Sequence, residues 1–262
     1  MTEYALITGA SSGIGQELAR IAAANNMNLI LLARNAEKMM QLRTELEGQY
    51  PIKVLAVGCD LTKPDAVEKI AALLNGRNII PDMLINNAGF GMYGSFDKIG
   101  VDTEANMIQL NITSLTDLTK VIYRQMRSKG KGKILNVSSI AGFMPGPWMA
   151  VYHATKAYVL SFSEALAIEA RNHGITVTAL CPGPTETNFE NRASAGTGIK
   201  IFQNFGKLPT AKQVAEYGWK SMMKGKTVAI HGKKFRWLIF LIRFLPRKLV
   251  VNITGKMQMP AK

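Results

Sequence analysis

The chain has 262 residues, 47% hydrophobic and 19% charged, a balance that excludes intrinsic disorder and suits one large α/β domain. Two cysteines, Cys59 and Cys181, are too few for a disulfide framework and point to a reducing, cytoplasmic setting; the three histidines join no Cys/His cluster, so no metal site is expected. The net charge of +14 is uneven: residues 1–199 hold 18 Lys/Arg against 17 Asp/Glu, and residues 200–262 hold 14 against one, Glu216.

The chain starts Met1-Thr2-Glu3 and runs straight into an apolar segment, so no secretory leader is expected. Near-continuous apolar runs at 4–8, 29–33, 54–59, 83–86, 133–137 and 176–181, with a short seventh at 227–230, read as parallel strands covered on both faces. Helical patterns at 14–24, 36–47, 65–74, 102–128 and 150–172 separate them. Repeated βα units imply a doubly wound parallel sheet of about seven strands, flanked by helices on both faces. Residues 1–232 read as one domain, and 233–262 as a basic C-terminal extension. Residues 183–209 lack periodicity and read as a long mobile loop over a binding site.

The first strand runs into Thr8-Gly9-Ala10-Ser11-Ser12-Gly13-Ile14-Gly15. Glycines at this spacing permit a tight turn and close approach of a pyrophosphate, with the next helix aiming its amides at the anion. The plainer alternative is a Gly-rich turn that only packs strand on helix. The second strand ends at Arg34, where dinucleotide folds meet the adenosine ribose; an Arg there suits a 2′-phosphate and hence NADP(H). Otherwise Arg34 is a solvated surface residue. Asp60 follows the third strand as an acceptor for adenine amino hydrogens or as a turn residue before Pro64. Asn86-Asn87-Ala88-Gly89 closes the fourth strand, at the edge where parallel sheets bind ligands. Tyr152 and Lys156 sit four apart on one helix face. A phenol titrates near ~10, and a close ammonium lowers that value. Ser139, past the fifth strand, is placed to hydrogen-bond a substrate oxygen.

Together, Thr8–Gly15, Asp60, Asn86–Gly89, Asn111, Ser139, Tyr152, Lys156 and Pro182-Gly183 resemble the short-chain dehydrogenase/reductase family in order and spacing. The resemblance implies a Rossmann-type fold, a nicotinamide cofactor and a tetrad of Asn111, Ser139, Tyr152 and Lys156. It implies that Tyr152 moves a proton to or from a carbonyl or hydroxyl oxygen, that Lys156 lowers the tyrosine pKa and holds the nicotinamide ribose, that Ser139 steadies the oxyanion, and that Asn111 holds a water. The cofactor set it implies is Gly9, Ser11, Ser12, Gly13, Ile14, Gly15, Arg34, Asp60, Leu61, Asn87, Ala88, Gly89, Tyr152, Lys156, Pro182, Gly183 and Thr187. Arg34 favours NADP(H). Ser12 stands where the family's second basic NADP marker would be, which leaves room for NAD(H). The activity implied is a carbonyl reductase or alcohol dehydrogenase, with 3-ketoacyl reduction on CoA or a carrier, and a non-catalytic NADP-binding protein, as rivals. Homodimers or homotetramers are common in the family.

Other residues weigh less. His153 reads as packing and Cys59 and Cys181 as inert core thiols. Met92, Met144, Met149, Phe90, Phe143 and Trp148 flank the expected pocket, consistent with a small hydrophobic carbonyl or alcohol substrate. The unbiased main body disfavours nucleic acid. In 233–262, Lys233-Lys234-Phe235-Arg236-Trp237 leads into an apolar stretch too short to span a bilayer. Three readings stand: peripheral contact with anionic lipid, cover for the domain's own core or a subunit interface, or a lid over a long substrate.

Overall fold

The computed structural model describes residues 3–195 and 201–259, apart from the side chain of Asn204. In chain order, β1 (Tyr4–Thr8), α1 (Gly13–Ala24), β2 (Asn28–Ala33), α2 (Ala36–Gln49), β3 (Val54–Gly58), α3 (Ala66–Gly76) and β4 (Met83–Asn86) form the first half. Then come α4 (Val101–Ile108), a π-helical turn (Gln109–Ser114), α5 (Leu115–Lys129), β5 (Gly132–Val137), α6 (Ala150–Ala170) and β6 (Ile175–Cys181). The last section holds α7 (Phe189–Ala193), α8 (Ala211–Met223), β7 (Val228–Ile230), α9 (Lys233–Ile242) and α10 (Arg247–Gln258). All sheet pairings are parallel, in the order β3-β2-β1-β4-β5-β6-β7. This is the Rossmann-type sheet expected from the sequence.

The near-continuous apolar strands are explained by two cores. Side chains alternate across a strand, so Ala5, Ile7, Leu29 and Leu31 point to one face and Leu6, Ile30, Leu32 and Leu84 to the other. The first face packs under α1, α2 and α8 through Leu18, Ala22, Leu42, Val214 and Met222. The second packs under α3, α5 and α6 through Ile70, Leu74, Leu118, Ile122 and Ala167. Fully burying each Leu or Ile contributes about 1.5–3 kcal/mol, so both faces must be apolar for the layers to hold.

The strand order reverses beside β1, which lies between β2 and β4. A crevice opens there at the carboxyl ends of the strands.

Two expectations change, and a third gains detail. The helix expected over 102–128 is broken by the π-turn, which carries Asn111; such turns insert one extra residue and often occur at functional sites. The 183–209 segment is not structureless: it holds α7 and a bridge between Glu186 and Thr210, and its residues 196–200 lie outside the described ones. The basic C-terminal segment forms two helices, α9 and α10, and no helix among the described residues is long and apolar enough to cross a membrane.

Candidate active site

The glycine-rich turn is shaped by backbone that only glycine allows easily. Gly9 and Gly13 have φ of 66° and 58°, in the left-handed region. At Gly15 a Cβ would lie 2.3 Å from Asn87 Nδ2 and 2.5 Å from the Gly9 carbonyl oxygen. Ser12 caps α1 in extended conformation with no side-chain hydrogen bond to the helix. The first amides of α1 are therefore left to the crevice, and the cradle fits a pyrophosphate.

The Asn86–Gly89 segment fastens this turn. Thr8 Oγ1 accepts from the backbone amides of Asn87 (3.0 Å) and Ala88 (2.9 Å), and Asn87 Nδ2 donates to the Thr8 carbonyl at 3.0 Å. Asn86 joins a buried chain, donating to Thr119 Oγ1 and Asn136 Oδ1 at 2.8 and 2.9 Å. The tetrapeptide is thus a clasp between β4 and the glycine turn, and Thr8 is its second half.

At the far end, Arg34 is exposed and Asp60 is half-buried, and both line the crevice. Burial opposes ionisation of Asp60, yet hydrogen bonds from the Thr62 amide and hydroxyl, and the charges of Arg34 and Lys63, hold its pKa below the ordinary value. Asp60 Oδ1 takes both Thr62 bonds, at 3.1 and 2.9 Å. The turn role foreseen for Asp60 is therefore present alongside its position in the crevice. Leu61 is buried and its carbonyl accepts from Ser114.

At the other end, α6 brings Tyr152 and Lys156 beneath Ser139. Lys156 is buried, and its ammonium donates to the Val137 carbonyl at 2.8 Å. It lies 5.8 Å from the Tyr152 ring centre. Burial drives the Tyr152 pKa up to about 12, with a hydrogen bond from Ser139 acting the other way, and drives Lys156 down to about 8. The expected lowering of the phenol by its lysine is therefore not found. Desolvation dominates both groups, and the ammonium faces a backbone carbonyl.

Asn111 is held on three sides. Its Oδ1 accepts from the Phe90 amide (3.2 Å), and its Nδ2 donates to the Phe90 carbonyl (2.9 Å) and Thr155 Oγ1 (3.0 Å). At Gly89 a Cβ would lie 2.9 Å from Asn111 Oδ1 and 3.4 Å from Lys156 Nζ, so only a glycine lets the clasp run past both. Ser139 accepts from the Ala141 amide at 3.1 Å, and the Ile140 amide donates to the Pro182 carbonyl at 2.9 Å, tying the β5 and β6 exits together.

One cavity of about 800 Å³ connects both ends. Of the tetrad and the cofactor set implied by the resemblance, Gly15 and Asn111 lie just behind its wall, and the rest line it. Thr187 presses on the glycine turn, its Cγ2 standing 3.2 Å from where a Gly13 Cβ would be. Phe90, Met144 and Met149 also line the cavity, as anticipated. Phe143 instead packs with Leu160, Ala179 and Cys181, while Met92 and Trp148 line a separate small hollow. Cys181 is buried and its thiol is pushed up to about 12, which keeps it inert. Cys59 is only half-buried, beyond the end of β3, and lines the cavity; burial raises its thiol as well.

Two features escaped the sequence reading. An aromatic wall runs from Tyr152 to Phe189 (5.3 Å between ring centres), Phe202 (6.3 Å), Phe205 (6.2 Å) and Phe235 of α9 (6.4 Å). The second is a latch on α10. His153 Nδ1 bonds the Met144 carbonyl at 2.8 Å, and because a carbonyl only accepts, Nδ1 carries the proton. Its Nε2 then accepts from Gln258 Nε2 at 3.1 Å, and Tyr93 donates to the Gln258 carbonyl at 2.5 Å. His153 therefore does more than pack: it holds the end of α10 against the loop before Tyr152.

A profile described as short chain dehydrogenase matches residues 3–198. The chain belongs to the short-chain dehydrogenase family. It is 35% identical over 184 residues to mouse 17-beta-hydroxysteroid dehydrogenase type 3, covering 70% of this chain and 60% of that one. It is 33% identical over 184 residues to bovine very-long-chain 3-oxoacyl-CoA reductase, covering 69% and 58%. The chain thus spans less than two thirds of the length of either relative. Among solved short-chain dehydrogenases, one from Sphingobium yanoikuyae in complex with NADPH superposes with a TM-score of 0.81 at 29% identity, covering 94% of this chain and 97% of that one. A nicotinamide cofactor belongs to this family's chemistry, and the glycine cradle and the uncapped α1 terminus fit its pyrophosphate.

Proposed function

We propose that the chain uses NADPH to reduce the carbonyl of a bulky hydrophobic ketone or aldehyde, steroid-like or lipid-like. The observation that carries this reading is the continuity of the cavity. It runs from the glycine cradle past Tyr152, Ser139 and Lys156 into a chamber walled by Phe189, Phe202, Phe205, Phe235 and the inner side of α9. The named activities of the two relatives, and the NADPH bound by the solved neighbour, support it.

When bound, the cofactor supplies the hydride. The amides of Gly9–Gly15 would hold its pyrophosphate, Arg34 its ribose phosphate, and Asp60, Leu61 and Asn87–Gly89 its adenosine side. Pro182, Gly183 and Thr187 would border the nicotinamide. Ser139 donates to the substrate oxygen and steadies the negative charge that develops there. Tyr152, a neutral phenol whose pKa burial pushes up to about 12, gives its proton to that oxygen as general acid. Lys156 would hold the ribose, and supplies positive charge beside the phenolate left behind. Asn111 keeps α6 and the Phe90 backbone at the spacing this relay needs. The exposed guanidinium of Arg34 beside Asp60 supports NADPH over NADH.

The aliphatic lining contributed by α9 also suits a 3-oxoacyl chain on CoA, the named substrate class of the bovine relative. Residues 1–232 form the catalytic unit in this reading, and 233–262 form an extension that roofs the cavity and meets a membrane surface peripherally. The unpaired Cys59 and Cys181 suit a cytoplasmic setting. Exposed Tyr158 and Ile168 on α6 support a homodimer or homotetramer built on the α5 and α6 faces. The test is NADPH oxidation with ketones of graded chain length. Turnover that rises with apolar size and is lost in Tyr152→Phe supports the reading; activity confined to small polar carbonyls sinks it.

A further inference from the structure

Helix α9 is apolar on two opposite sides. Phe235, Leu238 and Ile242 face the cavity, at the i, i+3, i+7 spacing of one stripe. Trp237 and Phe240 form a second stripe, which Phe244 continues in the turn just past the end of α9; the three are exposed by 67%, 49% and 72%. Their rings stack edge to face, 6.1 and 5.3 Å between centres. A helix apolar all round belongs in a core or in lipid, and none of the described residues covers this outer stripe. Residues 233–259 also hold seven Lys/Arg and no Asp or Glu. Such a surface complements an anionic lipid headgroup layer.

The apolar surface and the cavity are continuous. Leu238, Leu245, Ile253 and Met257 line the cavity, and the same four residues are 40–55% exposed. They form the rim where the interior opens.

We propose that the α9–α10 face docks on an anionic bilayer and that the substrate enters the cavity from the bilayer through this rim, without passing through bulk water. This inference rests on the reading above of a hydrophobic carbonyl substrate. With the face in the lipid interface, a ketone dissolved in the acyl layer meets only apolar side chains on its way to Tyr152. Entry from water would require the whole apolar surface of the ketone to be hydrated first. The basic residues hold the face in place at the headgroups.

The test uses the full chain with NADPH, vesicles of phosphatidylcholine with or without phosphatidylserine, a long-chain methyl ketone dissolved in the vesicles, and a short water-soluble ketone. The variant is Phe240→Glu with Phe244→Glu; neither residue lines the cavity. The wild type should cosediment with the anionic vesicles, and its rate on the long ketone should fall when more lipid dilutes that ketone within the bilayer. The double variant should lose cosedimentation and about tenfold of the long-ketone rate, while its rate on the short ketone and its melting temperature stay near wild type. Vesicle binding with a long-ketone rate indifferent to the double variant would refute entry from the bilayer while leaving docking intact. No vesicle binding, or light scattering showing that the variant splits a wild-type dimer, would refute docking. No turnover of either ketone, with vesicle binding intact, would instead overturn the reductase reading.

Discussion

Replacing Lys156 by methionine should abolish turnover yet stabilise the cofactor-free protein. Burial lowers the Lys156 pKa from 10.5 to about 8, which places a cost of about 3 kcal/mol on carrying the charge in the fold at neutral pH, at 1.36 kcal/mol per unit. Methionine keeps the length and removes the charge. It also strands the Val137 carbonyl, which now accepts from Lys156 Nζ at 2.8 Å, a loss of about 1 kcal/mol. The net gain of about 2 kcal/mol corresponds to a rise of roughly 4–8 °C in melting temperature for a chain of this size. The gain should depend on pH. Between about pH 8 and 10.5 the unfolded lysine holds a proton that the folded one has released, so wild-type stability climbs across that window. The Lys156→Met variant has no such ionisation, and the two melting temperatures should converge as pH approaches 10. Calorimetry of both proteins without cofactor, at pH 7 and pH 10, decides it. A variant no more stable than wild type at pH 7, or a gap constant across the two pH values, would show that burial is not what governs Lys156.

The other predictions concern single groups. Tyr152→Phe should cut turnover by about 10²–10⁴-fold, the usual worth of a positioned general acid, while NADPH binding by fluorescence titration persists. Arg34→Asp should raise KM for NADPH by about tenfold or more, since a hydrogen bond to a charged group contributes about 1.5–3 kcal/mol, and should improve use of NADH; an unchanged NADPH-to-NADH ratio would place Arg34 outside the cofactor site. Gly15→Ala should cost about 1–3 kcal/mol of stability by overpacking, because its Cβ would fall 2.3 Å from Asn87 Nδ2, and chemical denaturation would measure it.

Much of the fold was legible because parallel strands buried on both faces leave unbroken apolar runs. The edges differ by a residue or so, as with Asn28 at the start of β2 and Gly58 at the end of β3. Helix α8 went unremarked although its signal was present: Thr210 and Gln213 form a capping box before Val214, Gly218 and Met222. The site was legible where spacing in sequence equals spacing in space, as for Tyr152 and Lys156 on one helix face. It was not legible where partners come from distant segments. Nothing local marks Thr8 as the clasp for Asn87, or couples His153 to Gln258 across 105 residues. The π-turn at Asn111 has no compositional signature either; its stability comes from bonds to Phe90 and Thr155, far away in the chain. The electrostatic expectation failed for a related reason. Spacing brings an ammonium near a phenol, but how deeply both are buried, and that Val137 offers its carbonyl to the ammonium, are properties of the packed sheet.

That burial bears on direction. With its pKa near 12, Tyr152 is a phenol throughout the physiological range, which is the form that donates a proton to a carbonyl oxygen. Oxidation of an alcohol would need the phenolate, the form that burial disfavours. Reduction leaves a phenolate behind, and the positive charge on Lys156 is the group beside it that can stabilise that product. Because Lys156 loses its proton at about pH 8, kcat/KM for NADPH, which reports ionisations of the free enzyme, should be flat from pH 6 to about 7.5 and should fall above about pH 8. Lys156→Arg keeps the charge to higher pH, so its profile, at whatever residual rate, should lose that alkaline fall. A reduction rate that climbs steadily to pH 10 in the wild type would mean that the neutral amine, and not the ammonium, accompanies the proton transfer.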